Sequence, residues 1–243
     1  MGGVVKAAIG DAIVTFMWII CASTLGAATS IISNFFHKND DPMAIFAITA
    51  SLIFVISFLF GIISEAFGGA SFNATGTVAF YIAGVHADDD SFMSTAVRFP
   101  AQAVGAVGGV LLLTEMMPLQ YKHMLEGPSL KVDLHTGAIA EGVLTFAITF
   151  VVLWIIIKGP KSFFIKNWML SFATMAVIIP GSSYTGPSMN PANAFGWAYV
   201  NNKHNTWEQF YVYWICPSLG AILAAWCYRL VFPPQPASKT KTA

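Results

Sequence analysis

Charge is what this chain has least of. Asp, Glu, Lys and Arg together make up 10% of its 243 residues, where soluble domains carry roughly a quarter. Twelve cations balance twelve anions, so there is no basic excess and no electrostatic footprint for nucleic acid. Cysteine is scarce and odd in number. Cys21, Cys216 and Cys227 each sit in an apolar run, which argues against a disulfide framework and for small buried hydrophobes. No Cys/His cluster has metal-ligand spacing, and no cofactor is implied. The N-terminal run is not expected to act as a cleavable signal, since it contains Asp11 and outlasts a signal-peptide core. Myristoylation after Met1-Gly2 is not expected either, because Lys6 stands where Ser or Thr is needed. What is abundant is apolar: 56% of residues, twenty of them Phe. Twenty-four charges cannot cover the surface of so apolar a soluble globule, and disorder is excluded by the same count. The chain belongs in a bilayer.

A span needs about 20 mostly apolar residues. Six candidates run over 7–33, 43–64, 95–117, 136–157, 167–182 and 208–232. Two further apolar pieces, 73–84 and 190–199, are too short to cross and read as interfacial or re-entrant segments. Six spans put both termini on one side. That side holds Lys6, Arg98, Lys158, Lys161, Lys166, Arg229, Lys239 and Lys241, against Lys38, Lys122, Lys131 and Lys203 on the other. The excess places both termini in the cytoplasm.

The two halves repeat. Asp11 corresponds to Glu141, Ser71-Phe72-Asn73 to Ser188-Met189-Asn190, and Gly105-Ala106 to Gly220-Ala221. Three spans per copy is an odd number, so the second copy is inserted upside down. Inverted repeats with interrupted helices mark transporters and channels, and the short segments point to the conducting site. The expected fold is an all-α membrane protein with six transmembrane helices and two re-entrant half-helices. It forms one domain over 1–232, with repeats at about 7–117 and 136–232 and a short tail at 233–243.

Met189-Asn190-Pro191-Ala192 and the stretch Gly69–Asn73 resemble the signature regions of the aquaporins, the major intrinsic protein family. Residues 190–199 further resemble the plant small basic intrinsic branch, and the likeness runs from Asp11 to Phe232. The first motif departs from the pattern: Asn73-Ala74-Thr75 lacks its proline. Two half-helices starting at Asn73 and Asn190 would point positive N-termini at the midplane, disfavouring cations. Each Asn can cap its own helix and turn its NH₂ toward the pore. Pro191 suits the first helical position, whereas Ala74 predicts a slightly looser helix start.

Asp11 and Glu141, acids inside spans, need donors. The resemblance implies that they hold the backbone N–H groups of the two re-entrant loops; a proton-relay pair is the alternative. By the same resemblance the narrow filter falls on Ile53, Ile178, Pro187 and Asn193. Asn193 stands where most water-selective relatives have Arg, so the constriction loses its fixed cation. Packing against lipid or neighbours is the plainer reading of Ile53 and Ile178. Asp88–Asp90 beside His86 reads as a solvated loop. The Asn73-Ala74-Thr75 sequon cannot carry a glycan at membrane depth. Gly105 and Gly109 read as close helix packing, and Trp207, Trp214 and Tyr211 as an interfacial anchor.

The reading is a passive channel for water and other small neutral solutes, embedded in lipid. The resemblance implies a homotetramer in the plant endoplasmic reticulum. Rivals are a channel mainly for glycerol, hydrogen peroxide or a gas, a structural protein with a closed pore, and an intramembrane enzyme using Asp11, Glu65 or Glu141. The enzyme is the weakest, because no nucleophile–base–orienter set is present.

Overall fold

A computed structural model describes residues 2–85 and 92–233. The segment Asp88–Asp90 and the tail from 234 onward, both singled out above, lie outside them. Helix is the only regular secondary structure among the described residues, and six stretches are long and apolar enough to cross a membrane. In chain order the helices are α1 (Gly2–Ser23), α2 (Leu25–Phe35), α3 (Pro42–Ala66), α4 (Ala74–Ala83), α5 (Phe92–Met116) and α6 (Leu119–Lys122). There follow α7 (Leu134–Ile157), α8 (Phe163–Gly181), α9 (Pro191–Val200), α10 (Trp207–Phe210) and α11 (Cys216–Val231).

Two expected spans are built differently from a plain helix. The first pauses at Thr24, whose hydroxyl donates back to the Ile20 and Cys21 carbonyls at 3.1 and 2.9 Å. Back-bonding of this kind loosens and bends a helix, and α2 resumes one residue later. The sixth begins as α10 and passes through a π-helical turn, Tyr211–Ile215, before α11. Such turns insert a residue without ending the helix.

Polar caps set where spans begin. Asp41 accepts from the Met43 and Ala44 amides, and Asp133 from those of His135 and Thr136. The Ala44 amide bond is the chief reason that Asp41 stays below the usual carboxylate range. Hydrogen bonds from Thr136 do the same for Asp133. Cations close other ends: Lys166 Nζ donates to Ile156 O at 2.9 Å and Arg229 Nη1 to Ile82 O at 3.0 Å. Orphan carbonyls at helix C-termini are satisfied in this way.

The most extensive helix contacts are α1 with α5 and α7 with α11. Glycine makes both. A Cβ at Gly105 would sit 2.2 Å from Ala12 O, and one at Gly220 would sit 2.2 Å from Gly142 O. Gly109 adds a second close approach, 2.8 Å from Phe16 O. The same crossing therefore recurs in each half. Trp207, largely exposed, stacks on Tyr211 with centroids 5.4 Å apart. The three cysteines are free and partly buried.

Candidate functional site

Both short helices start at an asparagine held in extended backbone. Asn73 has φ −138° and ψ 117°, and its side chain accepts from Thr75 N at 3.0 Å. Asn190 has φ −145° and ψ 101°, and accepts from Ala192 N at 3.1 Å. The two caps are alike although only one is followed by proline.

The asparagines also bond across the molecule. Asn73 Nδ2 donates to Met189 O at 3.2 Å, and Asn190 Nδ2 donates to Phe72 O at 2.7 Å. Each NH₂ thus gives one hydrogen to the opposite loop and keeps a second to offer. The sequence places Thr75 in the first motif but gives no sign of what its hydroxyl does. Thr75, 2% exposed, has its Oγ1 2.9 Å from Met189 O and 2.7 Å from Asn73 Oδ1. The hydroxyl's one hydrogen is shared between these two acceptors, so Thr75 links the first motif to the loop before the second half-helix, next to the position where the proline is missing. Removing it in Thr75→Val should lower stability by about 1–2 kcal/mol, the cost of an unmade buried bond. Thr75→Ser should keep most of it, as thermal unfolding in detergent would register.

The two acids hold the loops that lead into these helices. Glu141, fully buried, takes Thr185 Oγ1 and Ser188 N on Oε1 (2.8 Å each) and Met189 N on Oε2 (3.0 Å). Asp11, also fully buried, takes Ser71 N at 2.7 Å. Its other partners were not foreseen. Arg98 is bonded to it twice, Nε to Oδ2 at 2.8 Å and Nη2 to Oδ1 at 2.9 Å, and Gln102 Nε2 reaches Oδ2 at 2.7 Å. Arg98, counted above with the cations of the cytoplasmic side, is an internal ion-pair partner with a side chain 11% exposed. A signal for it existed in the sequence. Arg98, Gln102, Gly105 and Gly109 share one helical face, the face that packs on α1.

The four filter positions fall into two pairs. Ile53 is buried in an apolar cluster with Ala50 and Met175, against which Ile178, Phe46 and Leu25 pack. Pro187 and Asn193 instead line a cavity of about 260 Å³ with Gly186, Trp197, Glu126 and Lys131. The isoleucines are not part of that cavity's wall. Asn193 Nδ2 donates to Ser188 Oγ at 3.3 Å. Lys131 Nζ donates to Ser182 O at 3.0 Å, and its segment is pinned by Lys131 N to Tyr184 O and Ser129 N to Thr185 O. The cavity wall thus carries one cation and one anion, Lys131 and Glu126, with neutral Asn193 beside them.

The family described as Major intrinsic protein matches residues 3–228. The chain is 58% identical over 238 residues to Aquaporin SIP1-1 of Oryza sativa subsp. japonica, covering 98% of this chain and 96% of that one. It is 50% identical over 241 residues to Aquaporin SIP1-1 of Arabidopsis thaliana, covering 99% and 98%. In fold it is similar to the aquaglyceroporin from Plasmodium falciparum, with a TM-score of 0.68 at 17% identity over 95% of this chain and 98% of that one.

Proposed function

The chain belongs to the major intrinsic protein family, whose members are channels and not enzymes, and from that premise we propose that its principal solute is water. The observation that carries this reading is the reciprocal pair of asparagine amides, Asn73 on Met189 O and Asn190 on Phe72 O. Two donors fixed at one level, with one hydrogen each to spare, suit a single file of small neutral molecules. The flanking stretches Gly69–Phe72 and Gly186–Met189 are non-helical, a backbone form tolerated at membrane depth where it lines water or is buried in protein. Asn73, Ala74 and Thr75 with Asn190, Pro191 and Ala192 are the pore motifs in this reading, and Asp11 and Glu141 support the loops.

Cation exclusion rests on the centre more than on the mouth. Asn193 is neutral, and Glu126 and Lys131 offset one another at the cavity wall. The paired helix N-termini then supply the positive field that repels a hydrated proton. The channel domain spans 1–232, with repeats at about 7–117 and 136–232. Both termini face the cytoplasm by the Lys and Arg count, and the family resemblance supports a homotetramer in the endoplasmic reticulum membrane.

Stopped-flow light scattering on vesicles holding the purified protein tests the reading. Osmotic shrinkage well above that of empty vesicles is expected; shrinkage at the empty-vesicle rate would overturn it. Fast glycerol or peroxide uptake without fast shrinkage would favour a channel for another neutral solute. Ile53, Ile178, Pro187 and Asn193 form the selectivity region in the same reading. Ile178→His and Asn193→Arg should therefore each shift the glycerol-to-water permeability ratio several-fold with unfolding temperature unchanged. Two unshifted ratios would place the constriction elsewhere.

A further inference from the structure

The two buried acids are inequivalent, and the difference assigns a role to Arg98. Glu141 reaches two consecutive loop amides, Ser188 N and Met189 N. Their counterparts in the first half are Ser71 and Phe72, 117 residues earlier. Asp11 is one methylene shorter and accepts from Ser71 N alone of that pair. The first loop therefore lacks one tether that the second has. Arg98 supplies another from the opposite side: its Nη2 bonds both Asp11 Oδ1 and Gly69 O, the latter at 3.1 Å.

The repeat makes the exchange explicit. An offset of 115 residues relates Gly105 to Gly220, and the same offset carries Arg98 onto Tyr213. Tyr213, buried in the π-helical turn, sends its hydroxyl toward Thr185 O at 3.4 Å. Each half thus aims one donor from the matching position of the repeat at a carbonyl of its pore loop. One half pairs a long acid with a neutral phenol, and the other pairs a short acid with a guanidinium. A bidentate Arg–carboxylate pair is rigid as well as strong, and without it Asp11 would keep, among the described residues, Ser71 N and Gln102.

We propose that Arg98 is a positioning residue for the first pore loop, the Asp11–Arg98 pair replacing the second backbone tether that a glutamate would provide. This rests on the channel reading only for its flux measurement. Arg98→Gln, Arg98→Tyr and the double variant Asp11→Glu/Arg98→Tyr would be reconstituted, and water permeability scaled to the amount of folded protein. A residue that merely stabilises the fold alters how much folded channel is recovered, not the flux per channel. Per-channel permeability is expected to fall at least about tenfold in both single variants, with a lowered unfolding temperature. It should return to within about twofold in the double variant, which rebuilds the second half's arrangement. Single variants with wild-type flux per channel, whatever their stability, would overturn the proposal, and so would a double variant no better than Arg98→Tyr. If the unmodified protein passes no water, unfolding temperatures of the same set still decide the matter. Rescue by the double variant upholds the exchange and its absence refutes it.

Discussion

Glu141→Ala should be among the most damaging single substitutions in the molecule. It strips the acceptor from Thr185 Oγ1, Ser188 N and Met189 N at once, at a site with no solvent contact. Each orphaned buried donor costs about 1–3 kcal/mol, so a loss of about 4 kcal/mol or more is expected, a large share of a typical stability. The channel should be recovered in low yield, with little water flux from what survives. Glu141→Gln should be milder, because its carbonyl can still take two of the three donors while its NH₂ faces the third. Equal behaviour of the two variants in detergent unfolding would show that the acid does something other than gather these hydrogens.

The second large effect belongs to glycine. Gly105→Ala puts a methyl 2.2 Å from Ala12 O and 2.9 Å from Ala12 C. Gly220→Ala does the same against Gly142 O, with Phe146 N at 3.1 Å. Every obstructing atom is backbone, so relief requires two helices to separate along a whole seam. Overpacking commonly costs about 1–3 kcal/mol, and these sites should lie at or beyond the upper end. Gly26→Ala is the contrast: nothing lies within 4 Å of that Cβ, and alanine is the better helix former. Size-exclusion profiles and unfolding temperatures of the three variants should separate the first two from the third. A benign Gly105→Ala would mean that α1 and α5 are less tightly joined than their backbones suggest.

Much of the fold was legible because hydropathy and helix length are local properties. The six spans and two short segments follow from runs of apolar residues, and the repeat from matching polar interruptions. Local patterns also concealed some features. Thr24 looks like one more small polar residue in a long apolar run, and only its back-bonds show that α1 ends there. The π-helical turn at Tyr211–Ile215 leaves no mark in composition. Partners far apart in sequence were the hardest to foresee. Asp11 and Arg98 lie 87 residues apart, so the sequence shows no partner for the acid and only one more cytoplasmic-side cation in the arginine. Thr75 was visible as a departure from a motif, but its reach to Met189 depends on a second loop arriving from the other half. The filter positions were located by resemblance. That two of them pack in a cluster while two line a cavity depends on side-chain directions that spacing does not fix.

The crossed asparagine bonds have a kinetic consequence. Each half-helix is fastened to the loop of its counterpart, with Thr75 as a third fastening. The two repeats cannot rock against one another without breaking all three. Carriers with inverted repeats work by such rocking, exposing one site to each side in turn, and their rates therefore saturate. A molecule whose halves are clasped at the centre has no such cycle to complete. Its flux should rise in proportion to the gradient with no plateau, and should run equally well in either direction.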